Sequence, residues 1–584
     1  MASRTSKSLK NVIFGLIGLL CSLVVTFVAK SIFIRLLGVA YNGVNGLFSN
    51  ILQVLNLAEL GFSATIALSL YKPLQEEDSI VVAQLMNYFA KVYRVIALLV
   101  CVAGLLCIPF LQYLIAEDIS GLPFSLGQLR GYFAMYLAST VCSYLLAYKR
   151  TIITADQNSY IVTNVDNVCN ILLNVVQIIC LIIFENYIVF LAVMIGKTLI
   201  NNIIIQIIAD KKYPYLKKYR KVKLPKEQQR IIIKNVQAMF TYKIGSVIVY
   251  STSSIIISAF VGLLDAGIYS NYLMVVTNVN ALVNILFNSM LASIGNLCVQ
   301  KDRQYQHIVF KRLQYIANFI TAFSLCCYIC LFNPFIDIWL GEGMVFGIGT
   351  VCVISINAAI SYIRKAILMF RDATGLFRLD WYKPIIEALV GVALAIGLSY
   401  VWGVFGVIAG YTIATISIAI PIETYVLFKH GLQRKVGKQI IEMLVTVLFS
   451  GLVAALCYFI CTFIPTSEGG LGIGWFVLRF VFVVVFAAGV FILATCRTEE
   501  FKYYKNLAAA IIKKVIDRVK FKVGKKQSAA ELPEAINKDV ARDGESNAII
   551  GDDEKTVEEG TEQQTETMEN DGREDRHIKQ DDVQ

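Results

Sequence analysis

Long apolar runs recur along almost the whole chain up to residue 496, and this feature constrains the fold more than any other. A membrane-spanning helix needs about 20 mostly apolar residues, and fourteen windows of the sequence meet that requirement. Only 16% of the residues are charged, whereas soluble domains carry about 25%. The sequence therefore predicts an all-α polytopic membrane protein. The predicted spans are 12–36, 43–70, 86–115, 124–148, 160–183, 187–208, 232–261, 266–297, 309–333, 345–369, 383–401, 404–428, 440–464 and 474–496.

Lysine and arginine are concentrated in alternate loops, and this asymmetry predicts the orientation of the chain. Cytoplasmic loops of membrane proteins are rich in these residues, whereas external loops are not. The N-terminal segment and the loops after spans 4, 6, 8, 10 and 12 are basic, but the loops after spans 5, 7, 9, 11 and 13 contain no lysine or arginine. Arg130, at the mouth of span 4, is the exception. Both termini are therefore predicted to be cytoplasmic.

Residues 527–584 differ in charge from the rest of the chain. They contain 18 acidic and 6 basic residues, whereas residues 1–526 carry a net charge of +23. A segment of this composition buries too little apolar surface to fold, so we predict a disordered cytoplasmic tail. Before it, the lysine-rich pattern of residues 497–526 predicts an amphipathic helix on an anionic lipid surface. A soluble helix is the alternative.

An internal repeat is found at an offset of 224 residues. Because six predicted spans separate the two copies, both run in the same direction, and such a repeat relates two lobes by a pseudo-two-fold axis along the membrane normal. The predicted domains are an N-terminal lobe (1–208, spans 1–6), a basic linker (209–231), a C-terminal lobe (232–428, spans 7–12) and spans 13 and 14 (429–496). The aligned pairs are Gly38 with Gly262, Gly43 with Gly267, and Asn56 with Asn280.

Polar side chains recur every three or four residues in spans 2, 5 and 8, which places them on one face of each helix. Asn56, Asp166 and Asn280 represent these three stripes as candidate substrate-binding residues. Polar groups that face lipid without partners are costly, so the stripes face protein or water. They either join helices by hydrogen bonds or line a hydrated central cavity. Their matching positions in spans 2 and 8 favour the cavity.

Four basic residues lie within the apolar runs, where an ionised side chain costs roughly 2.5 to 3.5 kcal/mol on insertion scales. They are Lys30, Arg35, Lys197 and Lys243. Such residues usually line a pathway, and Lys30 is the cation that we expect to bind an anionic substrate. Glu59 is expected to pair with Lys30 in the empty cavity and to release it to the substrate. Arg35 and Lys243 have an alternative role, because long basic side chains also extend to the membrane surface.

Motifs for metal or nucleotide chemistry are weak. The three histidines lie far apart in polar stretches and do not predict a metal cluster. Nearly all of the fourteen cysteines lie inside apolar runs, and Cys327-x-x-Cys330 falls in the middle of one, so we expect reduced core residues. The Gly-Lys-Thr triplet at 196–198 resembles the end of a phosphate loop, but Leu191 occupies the place of the first glycine. We expect no cofactor, no enzymatic activity and no nucleic-acid partner.

Two stretches resemble the bacterial polysaccharide flippases of the multidrug/oligosaccharidyl-lipid/polysaccharide exporter (MOP) superfamily. They are FIRLLGVAYNGVNGLFSNILQVLNLAELGFSATIALSLYKPL and, less specifically, KIGSVIVYSTSSIIISAFVGLLDAGIYSNY, which is similar to the seventh and eighth spans of that family. The resemblance implies fourteen spans in two lobes and alternating access. It also implies movement of undecaprenyl-diphosphate-linked oligosaccharide to the outer leaflet of the bacterial plasma membrane.

The resemblance carries expectations for individual residues and partners. A basic residue is expected at Lys30 and an acid at Glu59, and both are present. Ser253 departs from the family pattern, because an acid is often found there, and this puts ion coupling through span 7 in doubt. The expected partners are the lipid-linked oligosaccharide, membrane lipids, H+ or Na+ as a coupling ion, and polysaccharide polymerase machinery.

Two other functions are compatible with the sequence. A cation-coupled multidrug antiporter of the same superfamily would want carboxylates for its cationic drugs, whereas the charges of span 1 are basic. A membrane scaffold that transports nothing would recruit a polymer-assembly partner through the acidic tail. A leaflet assay with a lipid-linked sugar distinguishes the three functions.

Overall fold

The structure of the chain is a computed structural model that describes residues 21–510 and residue 513, with gaps. The gaps are residues 60–61, 117–120, 146, 157, 342, 377–378 and 464–471. Side chains are also not described at residues 57–58, 63–64, 159, 235, 237–250, 292 and 299.

The described residues fold into helices joined by short turns, without a β-strand. In the first half of the chain the helices are α1 (21–37 within the described part), α2 (Val39–Leu55), α3 (Phe62–Gln75), α4 (Ser79–Cys107), α5 (Leu126–Tyr144), α6 (Ala147–Ala155), α7 (Ser159–Phe184), α8 (Tyr187–Lys212) and α9 (Tyr215–Lys218). In the second half they are α10 (Lys226–Phe260), α11 (Leu263–Gln300), α12 (Arg303–Leu340), α13 (Ile348–Ile363), α14 (Lys365–Ala373), α15 (Lys383–Ala414), α16 (Ile420–Tyr425), α17 (Val436–Cys461) and α18 (Ile473–Thr495).

Several of these helices begin where the sequence supplies an acceptor for the first backbone N–H groups. Asp78 caps α4, and its Oδ1 accepts from the backbone N–H of Ile80 and Val81 at 3.1 and 3.0 Å. Ser125 and Gln128 form a reciprocal capping box at the start of α5. Such caps satisfy donors that have no partner within the helix, so polar loop residues fix the ends of the apolar segments.

Within the described residues, nine helical segments are long and apolar enough to cross a membrane. The prediction of an all-α polytopic membrane protein is therefore confirmed. The nine segments do not map singly onto the predicted spans, because some helices break or merge. The predicted span 43–70 is interrupted by a 3-10 turn at Asn56–Glu59. Spans 11 and 12 run together within Lys383–Gly431, where Gly403 has a φ of +55°.

The two repeats contact each other through a pair of glycines at equivalent positions. A Cβ added to Gly43 would lie 2.2 Å from the backbone oxygen of Leu263, and a Cβ added to Gly267 would lie 2.7 Å from that of Val39. Val39 and Leu263 are themselves related by the 224-residue offset, so the contact is reciprocal. We call Val39, Gly43, Leu263 and Gly267 the glycine seal. Only glycine permits α2 and α11 to approach this closely at that end of the bundle.

The buried apolar side chains form three clusters that follow the order of the chain. The first comes from α1 to α10 and includes Leu263, and the second from α10 to α17. The third lies among α12, α13, α17 and α18. Many apolar side chains outside these clusters are exposed, for example Leu98 and Leu448. Exposed apolar surface on long helices is what lipid requires.

Several predicted segments lie wholly or partly outside the described residues, including residues 12–20 of span 1. Residues 499–510, within the segment predicted as an amphipathic helix at 497–526, are helical and mostly exposed. The remainder of that segment, apart from residue 513, and the acidic tail at 527–584 lie outside the described residues. The tail and the domain boundaries stay predictions.

The orientation of the chain leads to a first prediction. In a background without native cysteines, Val345→Cys and Ile473→Cys should react with a membrane-impermeant maleimide added to intact cells, whereas Lys221→Cys should react only after lysis. Val345 and Ile473 follow α12 and begin α18, at the predicted external end, and all three side chains are exposed. Labelling of Lys221→Cys in intact cells would contradict the predicted topology.

Candidate functional site

Lys30 lies beside the glycine seal and contacts both repeats. Its Nζ donates to Asn42 Oδ1 and lies 3.4 Å from Ser270 Oγ. Asn42 is fully buried, and its Nδ2 lies within 2.7 Å of the Gly267 carbonyl oxygen and 3.1 Å of Asn271 Oδ1. A lysine, two asparagines and a serine therefore connect α1, α2 and α11 at the point of closest approach.

The expected pair of Lys30 and Glu59 is wrong for this conformation, because Lys30 bonds to Asn42 and Ser270. Glu59 lies near Tyr93, whose Oη donates to its Oε1 at 3.4 Å. Glu59 is too far along the helix to reach Lys30. Most of α2 and the following turn separate it from Asn42, a distance of about 25 Å along the helix axis. The carboxylate of Glu59, on the next predicted span, therefore lies far along the helix axis from Lys30.

Asp166, a candidate from the sequence, is already engaged in an ion pair. Its two carboxylate oxygens accept from Arg150 at 2.8 and 2.9 Å, and Oδ1 also accepts from Asn201 at 2.8 Å. Lys197 donates to Asn174 Oδ1 at 3.0 Å. Arg150, Lys197 and Asn201 line a cavity of about 390 Å³ together with Glu59. We call it the N-half cavity.

A second cavity, of about 250 Å³, is lined by residues of the second repeat and contains a network of buried charges. Arg364 binds Glu423 through two hydrogen bonds of 2.6 and 2.9 Å, and Lys383 donates to Glu423 at 2.5 Å. Lys383 also lies 3.3 Å from Glu387. Arg371 pairs with Asp380 at 2.8 Å. We call it the C-half cavity; its buried acids and bases neutralise one another.

Lys365 lies next to this network but is held differently. Its Nζ donates to Asn284 Oδ1 at 2.6 Å, on α11. Among the described residues, Lys30, Lys197 and Lys365 thus share one arrangement, in which an asparagine oxygen and not a carboxylate accepts from the ammonium group. An amide dipole orients the ammonium but leaves its charge available. The three lysines can therefore attract an anion.

The aligned asparagines of the two repeats also share an environment. The Oδ1 atoms of Asn56 and Asn280 are both buried and accept no hydrogen bond from described residues. Asn280 lines the C-half cavity. Buried polar atoms are normally satisfied by protein or water, so these two oxygens are suited to bind water or the hydroxyl groups of a ligand.

The other sequence candidates are placed as follows. Arg35 is exposed on α1, as expected of a side chain that reaches the membrane surface. Lys243 lies in α10, and its side chain lies outside the described residues. Sequence reasoning missed Lys365 and Glu423, although each lies within a predicted span. Lys30 was identified because it is a charged residue within an apolar run. The same criterion would have identified Lys365 and Glu423.

The buried charge network provides a second prediction, on stability. Glu423→Gln should destabilise the protein strongly, because Glu423 is fully buried and its loss leaves Arg364 and Lys383 with less compensating charge. Breaking a buried pair costs about 3–5 kcal/mol. Thermal unfolding of the purified chain in detergent measures the change.

Glu442→Gln is the matched control, since Glu442 pairs with Lys311 where both side chains are partly exposed. A pair of that kind contributes about 0–1 kcal/mol. Equal falls in the unfolding midpoint for the two variants would show that the network around Glu423 does not stabilise the fold more than a surface pair.

The fold was compared with known proteins. No family model matches the chain, and no curated protein matches it in sequence. The lipid II flippase MurJ, in an inward closed conformation, matches in structure with a TM-score of 0.62 at 16% identity, over 85% of this chain and 100% of that chain. An inward-facing multidrug resistance MATE family transporter of the MOP superfamily matches with a TM-score of 0.50 at 11% identity, over 74% of this chain and 95% of that chain.

These likenesses define the class of fold. The chain has the fold shared by the lipid II flippase MurJ and by the MATE family transporter of the MOP superfamily. The fold expected from the resemblance of the sequence is therefore confirmed. At these identities the likeness extends to the fold, and the substrate has to be argued from the residues of this chain.

Proposed function

We propose that this protein is a flippase that moves an undecaprenyl-diphosphate-linked oligosaccharide across the bacterial plasma membrane by alternating access. The observation that carries the proposal is the set of three lysines held by asparagine oxygens, Lys30, Lys197 and Lys365. A diphosphate carries negative charge that hydrocarbon does not solvate. Ammonium groups without a carboxylate partner offer it charge-assisted hydrogen bonds at membrane depth.

The sugars require a different type of contact. Hydroxyl groups donate and accept hydrogen bonds, and amide side chains do both. The unpaired oxygens of Asn56 and Asn280 supply acceptors at equivalent positions of the two repeats. Cations for the diphosphate and amides for the sugars together match the chemistry of a lipid-linked oligosaccharide.

The glycine seal supports alternating access. It brings α2 and α11 together at the end that we predict to be external, so the conformation described is closed at that end. Opening requires α2 and α11 to separate, which breaks the hydrogen bonds from Asn42 to Gly267 and Asn271. Lys30 lies at this junction, so an anion that binds its ammonium group binds next to the contacts that hold α2 and α11 together. Binding of the anion at Lys30 is then linked to the separation of α2 and α11.

A leaflet assay tests the proposal. The purified full chain, reconstituted into liposomes, is supplied with a fluorescent undecaprenyl-diphosphate oligosaccharide in one leaflet, and the labelled headgroup is quenched or cleaved from outside. The proposal expects faster transfer than in protein-free liposomes, with inhibition by excess unlabelled lipid diphosphate. H+ and Na+ gradients are imposed separately to identify the coupling ion.

The same preparation tests the alternatives. Uptake of a cationic drug in exchange for H+ or Na+, without lipid transfer, would establish a multidrug antiporter. Neither activity, together with capture of polysaccharide polymerase components by the acidic tail, would establish a scaffold. The lysines favour the flippase, because an ammonium group repels a cationic drug.

A further inference from the structure

Three buried cysteines converge where α12 packs against α17. Cys330 lies on α12, and Cys457 and Cys461 lie one turn apart on α17. Their Sγ atoms all lie within 4.8 Å of one another, and none of the three residues is more than 1% exposed. All three are free thiols. The sequence alone predicted packed core residues and gave no reason to join cysteines so far apart along the chain.

The group offers sulfur alone as a ligand, since among the described residues no histidine or carboxylate belongs to it. Thiolates are soft ligands that favour Cu(I), zinc and iron–sulfur clusters. Three sulfurs around one ion, at the metal–sulfur distance of about 2.3 Å, are separated by about 4 Å from one another. The observed sulfur spacing is compatible with that arrangement.

Arg479, on α18, provides a second and independent observation. This residue is only 8% exposed, and its Nε has no hydrogen-bond partner among the described residues. Its guanidinium group lies close enough to Cys461 for an electrostatic interaction. A guanidinium stays protonated in proteins, and a buried charge needs a counter-charge. A metal-bound thiolate within the group would supply one.

We propose that Cys330, Cys457 and Cys461 bind one Cu(I) ion. On binding, two of the thiols lose their protons to solvent and the third remains protonated. The charges of Cu(I) and Arg479 then balance the two thiolates, and no net charge is left in the apolar cluster. Zinc suits the group less well, because it prefers four ligands in a tetrahedron. The nearby Cys326 is buried one turn from Cys330 but does not belong to the group.

The bound ion would stabilise the packing of α17 and α18 against α12. Two ligands come from α17 and one from α12, and the charge-balancing arginine comes from α18. Since a ligand that binds only the folded state stabilises it by mass action, Cu(I) should raise the unfolding temperature of the protein. The site lies outside the residues proposed to contact the transported lipid, so transport and metal binding can be tested separately.

The test is an anaerobic titration of the purified full chain with Cu(I) supplied as its bicinchoninate complex. We expect one Cu(I) per chain, an X-ray absorption spectrum with sulfur as the only ligand, and a higher unfolding midpoint. Cys461→Ser should weaken binding by at least about 100-fold, because loss of an outer-shell partner alone costs 10–100-fold. Cys101→Ser, on α4 and outside the group, is the matched control and should bind as the wild type does.

Three results would overturn the proposal. One is absence of sulfur ligands from the spectrum of the wild-type protein, a measurement that does not depend on whether a variant folds. Another is stoichiometric Cu(I) binding by the triple variant Cys330→Ser/Cys457→Ser/Cys461→Ser. The third is reassignment of the cluster, either by tight zinc binding to four sulfurs or by a native disulfide within the group found by mass spectrometry.

Discussion

Lys30→Gln is expected to lower transport of the lipid-linked oligosaccharide by about 10- to 100-fold while the protein still reaches the membrane. Glutamine keeps a hydrogen bond to Asn42 but removes the charge that would hold the diphosphate. Hydrogen bonds to charged groups contribute about 1.5–3 kcal/mol, which corresponds to that range of rates. The rate of headgroup transfer in liposomes that contain equal amounts of each variant is the measurement.

Two further variants test whether the effect of Lys30→Gln comes from the loss of positive charge at that position. Lys30→Arg should keep part of the activity, because a guanidinium also binds phosphate oxygens. Lys91→Gln removes an exposed lysine from α4 and should transport normally. If Lys30→Gln transports at the wild-type rate, the ammonium group serves the packing of α1 against α2 and α11. The anion would then have to be bound through Lys197 and Lys365.

Gly43→Ala is expected to hold the glycine seal open and to stop transport. The added Cβ would lie 2.2 Å from the backbone oxygen of Leu263, which no side-chain rotation relieves. Overpacking of this kind costs about 1–3 kcal/mol, which changes the population of the closed state by about 5- to 150-fold. Crosslinking between cysteines placed on α2 and α11 near the seal reports the closed population directly, and the leaflet assay reports transport.

Gly46→Ala is the control on the same helix. A Cβ there would lie 3.6 Å from the Cβ of Ser270, an ordinary contact, so crosslinking and transport should both stay near wild-type values. Gly267→Ala should reproduce the effect of Gly43→Ala, because its Cβ would lie 2.7 Å from the Val39 oxygen. Normal crosslinking in Gly43→Ala would mean that the close approach does not control closure.

Part of this architecture follows from the sequence alone. The apolar length of each run predicts a helix that spans the membrane, because the backbone must satisfy its own hydrogen bonds in lipid. The 224-residue offset related Gly43 to Gly267, and the structure brings the two glycines to equivalent positions in one contact. The charge of Lys30 within an apolar run singled it out before any contact was known.

The partners of these residues were decided by the tertiary structure. Lys30 was expected to bind Glu59 and binds Asn42 and Ser270. The network around Glu423 on α16 likewise joins Arg364 at the start of α14 and Lys383 on α15. In a membrane protein the lipid-facing and the packed sides of a helix are both apolar. Hydropathy therefore locates a span, but only the packing of helix on helix decides which polar groups meet.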